Sequence, residues 1–137
     1  MAEQIDANVA VVRSFFAAIT EGRFDDAAGV LDPEGSWWSL ARRAAREPLV
    51  QLERIRKLSL SAKDLMSFTV NSTTAQDDRV AAEVEGYAAF DDRVYNNMYF
   101  FLVQVSDGKI RSLRMYDDTL MGERVLRGDN PLPSHAR

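Results

Sequence analysis

The order of its hydrophobic periods predicts an α+β fold for this 137-residue chain: N-terminal helices across the concave face of a curved antiparallel sheet, with a cavity between them. Three observations carry the prediction. Apolar residues recur at helical spacing as far as about Leu58 and alternate from Leu65 onward, so helices and long strands are segregated. Two alternating runs between Val94 and Thr119 flank Asp107-Gly108, a dipeptide suited to a two-residue hairpin turn. Both faces of that hairpin are largely apolar, so one must be covered by the chain itself and the other by something else.

The elements follow in order. Asp6 suits an N-cap, and Val9, Val12, Phe15, Phe16 and Ile19 make one apolar helical stripe that Glu21-Gly22 terminates. Phe24 to Leu31 reads as a short second helix with Asp25 and Asp26 at its positive end. Asp32-Pro33-Glu34-Gly35 is turn chemistry, and Ser36 to Leu40 a short strand. Pro48 opens a third helix, carried by Leu49, Leu52, Ile55 and Leu58. Leu65 to Ala75 and Arg79 to Phe90 are strands joined at Gln76-Asp77-Asp78, and the hairpin supplies two more, giving a four-strand meander. Thr119 to Leu126 closes the chain as a helical turn. One domain is expected, with its core over about residues 8–126 and a Pro-containing tail over 127–137.

Composition excludes several functions. With net charge −4 and no Lys/Arg run, nucleic acid and anionic membranes are not expected partners. No apolar run reaches the roughly 20 residues of a bilayer span, and the amino terminus lacks a secretory pattern, so a cytoplasmic protein is expected. There is no Cys, hence no thiol chemistry, and the lone His135 lies in the tail, so no metal or other cofactor is expected.

Pairing Ser106 with Lys109 sets Met98 opposite Asp117 and Phe100 opposite Met115, and gathers Asn96, Met98, Phe100, Met115 and Asp117 on one face. A two-residue turn at Asp91-Asp92 brings Glu85 opposite Met98 and Tyr87 opposite Asn96, on that same face. Read as a pocket lining, this is an acid/base apparatus: Asp117 with its pKa raised by apolar surroundings, Glu85 assisting, Asn96 and Tyr87 orienting a ligand. Trp37 or Trp38 supplies a wall. Tyr95, Tyr99, Phe101 and Arg114 then fall on the outer face, where a second subunit would cover them. Arg42, Arg43 and Arg46 form a cationic loop able to meet an anionic ligand.

The runs FFAAITEGRFDDAAGVL and YNNMYFFLVQVSDGKIRSLRMYDDTL resemble the nuclear transport factor 2-like superfamily, within it SnoaL-like and ketosteroid isomerase-like proteins. The resemblance spans roughly Asn8 to Leu126. It implies a cone-shaped α+β fold, an apolar small-molecule pocket, which Phe15 and Trp37 would help to line, and a homodimer through the convex sheet face. Catalytic carry-over is sparse. Where the steroid isomerases have a helix Tyr, a strand Asp and an acid on the penultimate strand, this chain has Phe15, Ser39 and Asn96. Limonene epoxide hydrolases place an Asp where Met115 stands. The last-strand acid that SnoaL-like cyclases carry before Thr matches Asp118, whereas alternation favours Asp117. The expectation is a cofactor-independent enzyme acting by isomerisation, cyclisation or hydration on an apolar oxygenated ring compound, or a non-catalytic binding protein with the same pocket.

Overall fold

The computed structural model describes residues 2–127. His135 and nearly all of the tail lie outside the described residues. Three helices precede the long strands: α1 (Ala2–Thr20), α2 (Phe24–Gly29) and, after strands β1 (Leu31–Ser39) and β2 (Ala44–Arg46), α3 (Pro48–Ser61). The meander follows as β3 (Ser67–Gln76), β4 (Arg79–Ala89), β5 (Val94–Ser106) and β6 (Lys109–Asp117). The chain then closes over α4 (Thr119–Gly122) and a wider π-type turn, Glu123–Arg127.

All six strands form one sheet in the order β2-β1-β6-β5-β4-β3, and its two edges, β2 and β3, do not meet. The α+β layering and the antiparallel meander are those the periodicity predicts. Added to them is a parallel pairing of β1 with β6 and the small hairpin of β1 with β2. The buried stripe of α1, including Val12, Phe15, Phe16 and Ile19, packs on one face of the sheet against Phe68, Val84, Phe101 and Val103.

Several boundaries differ from expectation. α1 begins at Ala2, so Asp6 lies inside it, because Ala2, Glu3 and Gln4 are good helix formers. α2 stops at Gly29, since Leu31 is drawn into the sheet beside Ile110. Asp32-Pro33-Glu34-Gly35 is a bulge within β1: these four residues, between Leu31 and Ser36, stand opposite one, Arg111, between Ile110 and Ser112.

One further bulge decides the site. At the tight turn Asp107 and Gly108 take φ of 53° and 72°, and Ser106 pairs with Lys109 as expected. The register then shifts: Val105 pairs with Ile110, but Gln104 pairs with Ser112, leaving Arg111 extra. Beyond it Phe101 faces Met115 and Tyr99 faces Asp117. A one-residue slip exchanges the two faces of a strand. Consequently β5 turns Tyr95, Asn97, Tyr99, Phe101, Val103 and Val105 toward the helices, whereas Met98 and Phe100 are 51% and 46% exposed on the other side. The expected assignment of the two β5 faces is thus reversed.

Two neighbours hold the bulge. Arg111 donates from Nη1 to Asp32 Oδ2 at 2.6 Å, and the guanidinium holds that carboxyl below the usual range. Gly35 lies so close to the bulged backbone that a Cβ there would sit 2.2 Å from the Arg111 carbonyl oxygen.

Candidate active site

Between α1, α3 and the inner sheet face lies a cavity of about 140 Å³. Its wall is aromatic: Phe16, Trp37, Phe68, Tyr95, Tyr99 and Phe101, with Ile19, Met66 and Met115 between them. The rings support one another, Phe16 and Phe101 at 4.9 Å between centroids and Tyr99 and Phe101 stacked at 5.6 Å. Gly86 makes room for this stack, because a Cβ there would meet the Tyr99 ring at 2.7 Å. The cavity opens past Gln51, Ile55, Leu58, Asp117 and Leu126 into a vestibule of about 580 Å³, whose rim includes Arg42, Arg46, Arg54 and Lys57.

Polar groups are few in this wall. Asp117, at the end of β6, borders both cavity and vestibule, and its Oδ1 is buried without a hydrogen-bond partner. Burial, and secondarily the adjacent Asp118 charge, raises its pKa above the ordinary carboxylate range. Trp37, also in the wall, carries a buried Nε1–H with no acceptor. Buried polar atoms are normally satisfied, so two such orphans on one cavity mark it as a place built to meet a polar ligand group.

A third group is the phenol pair. Asn97 Nδ2 donates to Tyr95 Oη at 2.8 Å, and the Tyr95 and Tyr99 hydroxyls share a short hydrogen bond. Asn97 is fixed by a second donation to the Asp118 carbonyl oxygen at 3.0 Å. Burial pushes both phenols up, with Asp117 adding to the shift, so at neutral pH both keep their protons. In the bond between the phenols one hydroxyl accepts from the other, and the accepting phenol keeps its own O–H proton free to donate.

The sequence-derived candidates separate into two sets. Asp117, Met115 and Trp37 lie on the cavity wall. Glu85, Tyr87, Asn96, Met98 and Phe100 do gather as the strand pairing requires, but on the outer face. Glu85 pairs with Met98 and Tyr87 with Asn96, and Asn96 Nδ2 donates to Glu85 Oε2 at 2.8 Å. The Arg111 bulge is the cause. Of the two adjacent asparagines it is Asn97 that faces inward. Asp118 caps α4, its Oδ1 accepting from the backbone N–H groups of Leu120 and Met121. Phe15 is fully buried one step from the cavity, packed on Trp37 with centroids 6.0 Å apart, and its neighbour Phe16 takes the wall position. Tyr95, Tyr99 and Phe101, expected on the outer face, are inside, while Arg114 lies outside over Trp38 at 4.3 Å.

The inward set had a signal. Ile110 and Leu113 are three apart with Arg111 and Ser112 between, a spacing that strict alternation cannot bury on one side. Among the described residues no three His, Asp or Glu side chains converge as metal ligands. No helix among them is long and apolar enough to cross a membrane.

Residues 12–113 match the model of the SnoaL-like domain family. No curated protein sequence matches the chain. Solved structures share its architecture. An LEH-like epoxide hydrolase from M. tuberculosis superposes with TM-score 0.75 at 17% identity, over 91% of this chain and 93% of that one. IdmH from Streptomyces antibioticus, described as a candidate polyketide cyclase, gives 0.73 at 14%, over 83% and 94%. An NTF2-like protein from Burkholderia xenovorans gives 0.69 at 20%, over 88% and 96%. At these identities the likeness establishes the fold.

Proposed function

The chain belongs to the SnoaL-like domain family, and from that premise we propose that it is a small-molecule enzyme using acid/base chemistry in the cavity beneath α1 and α3. The observation that carries this is the unpartnered carboxyl oxygen of Asp117, a residue of a largely apolar wall. Burial raises the pKa of this carboxyl above the ordinary carboxylate range, which makes it a stronger base toward a substrate proton.

The substrate class is an apolar ring compound bearing a carbonyl or an epoxide. With a carbonyl substrate, ionised Asp117 takes the proton from the carbon beside the carbonyl, and the electron pair of that C–H bond moves onto the oxygen as an enolate. Tyr99 O–H, polarised through Tyr95 and Asn97, donates to that oxygen as its charge develops, with Trp37 Nε1–H as a second donor. Asp117 returns the proton at another carbon, which completes an isomerisation, or at oxygen after the enolate carbon has closed a ring. With an epoxide, the same carboxyl in its neutral form gives its proton to the ring oxygen as a water molecule bonds to the ring carbon and the C–O bond breaks, and the proton lost by that water returns to the carboxylate. An epoxide hydrolase and a candidate polyketide cyclase share the fold, and both reaction types fit these groups.

The test is a turnover screen over cyclic enones, poly-β-ketones and epoxides with wild type, Asp117→Asn and Tyr99→Phe. Turnover by wild type that falls about 10²–10⁴-fold in Asp117→Asn supports the reading, and undiminished turnover in that variant contradicts it. A non-catalytic binding protein is the competing reading. It is favoured by one observation: with Asp118 committed to a helix cap and Glu85 outside, the cavity has a single carboxyl.

We also propose a homodimer through the outer sheet face. Tyr87, Met98 and Phe100 are 45%, 51% and 46% exposed there, beside the Trp38–Arg114–Tyr116 stack.

A further inference from the structure

We infer that the ligand of the cavity is an anion, an apolar ring compound carrying one carboxylate that the vestibule holds while the ring body fills the chamber. The inference rests on the proposed ligand-binding function of the cavity and adds the chemical class of the ligand.

The chain as a whole is acidic, at −4, yet four cations stand on the vestibule rim: Arg42 from the β1–β2 turn, Arg46 at the end of β2, and Arg54 and Lys57 one turn apart on α3. Among the described residues none of these four forms an ion pair, although Arg23, Arg56, Arg93 and Arg111 all do. Two acids share the rim, Glu123 and Asp117, against the four cations. The rim is therefore a net positive opening on a negative protein, a field that draws an anion toward the mouth.

The guanidiniums are held in place by neutral partners. Arg42 donates from Nη2 to the Ala44 carbonyl oxygen at 2.9 Å, and Arg46 from Nη1 to Gln51 Oε1 at 2.8 Å. These bonds order both side chains without neutralising them. Arg42 Nε is buried and has no acceptor. Arg46 is destabilised as a cation, first by its burial and then by Arg54 and Arg42. Like charges that outnumber the acids beside them repel, and an anion at their centre relieves the repulsion while accepting from their N–H groups. Gln51 lines both spaces, so the residue that orients Arg46 also marks where the apolar chamber meets the charged mouth. A planar carboxylate on a flat ring system suits this sequence of aromatic wall and guanidinium rim.

The test is a calorimetric titration of the full chain with 2-naphthoate and with its uncharged isostere 2-naphthamide. It is repeated on the double variant Arg46→Gln/Arg54→Gln after circular dichroism has verified its fold. Wild type is expected to bind naphthoate about 10-fold or more tightly than the amide, a difference of about 1.4 kcal/mol. Raising salt from about 50 to 500 mM should erode that preference. In the double variant the two affinities should converge to within about 2-fold while the amide's own affinity is retained. Equal affinities in wild type, or a preference that survives in the double variant, overturn the anion inference and leave the cavity reading standing. Binding of neither compound overturns both.

Discussion

At the scale of single residues, the site depends on how burial treats one carboxyl. Asp117 binds its proton more tightly in the folded chain than in the unfolded one, because its surroundings disfavour the anion. Between the ordinary carboxylate range and the raised value the folded state holds more protons, so stability falls as pH rises through that window. Asp117→Asn removes this cost. Its thermal midpoint should exceed that of wild type at pH 7, and the two should coincide near pH 3, where both states of the wild type are protonated; calorimetry at the two pH values checks this. The neighbouring acid should behave differently. Asp118 serves two backbone N–H groups at the start of α4, so Asp118→Ala should lose about 1 kcal/mol in urea unfolding and keep the proton chemistry of the cavity. Tyr99→Phe should lose about 1–3 kcal/mol in urea unfolding, because the buried Tyr95 hydroxyl loses its partner, and should bind ketone ligands about 10-fold more weakly, because a donor to the ligand oxygen is gone.

At the scale of elements, the hairpin β5–β6 shows what the sequence carries and where simple alternation misreads it. The turn at Asp107-Gly108, the pairing of β4 with β5 and the clustering of Glu85, Tyr87, Asn96 and Met98 all follow from local spacing. The side of the sheet on which that cluster lies does not, because one bulged residue, Arg111, intervenes between the turn and the site. The cause is long-range. Arg111 is held by Asp32 and by the close approach of Gly35, residues more than seventy positions away in a segment that reads locally as a turn. Local patterns cannot report such a contact. What they do contain is the conflict between Ile110 and Leu113, both apolar and both buried, which a bulge alone reconciles. Gly35→Ala places a methyl group against backbone that cannot swing aside. It should destabilise the protein by about 2 kcal/mol or more in denaturant titration and weaken ligand binding together with stability.

At the scale of the whole molecule, the two faces of the sheet have separate tasks. The inner face supplies core and cavity, and the outer face presents Trp38, Tyr87, Met98 and Phe100 around Arg114. The proposed dimer makes sedimentation its measure: wild type should sediment as a dimer at micromolar concentration, and Met98→Glu/Phe100→Glu should shift it to monomer without loss of fold. The α+β order was legible in the sequence because helical and alternating periods are segregated along the chain. The cavity's polar groups were less so, since Asn97, Tyr95 and Tyr99 acquire their meaning only once the face they occupy is known. The account stands or falls on Asp117 being a protonatable group in that cavity. The direct measurement is the carboxyl ¹³C titration of Asp117 by NMR in the intact protein, with Asp117→Asn identifying the resonance. A midpoint above the ordinary carboxylate value of about 4 is the predicted result. A midpoint at or below that value would contradict it, because the cavity would then not disfavour the Asp117 anion as its burial requires.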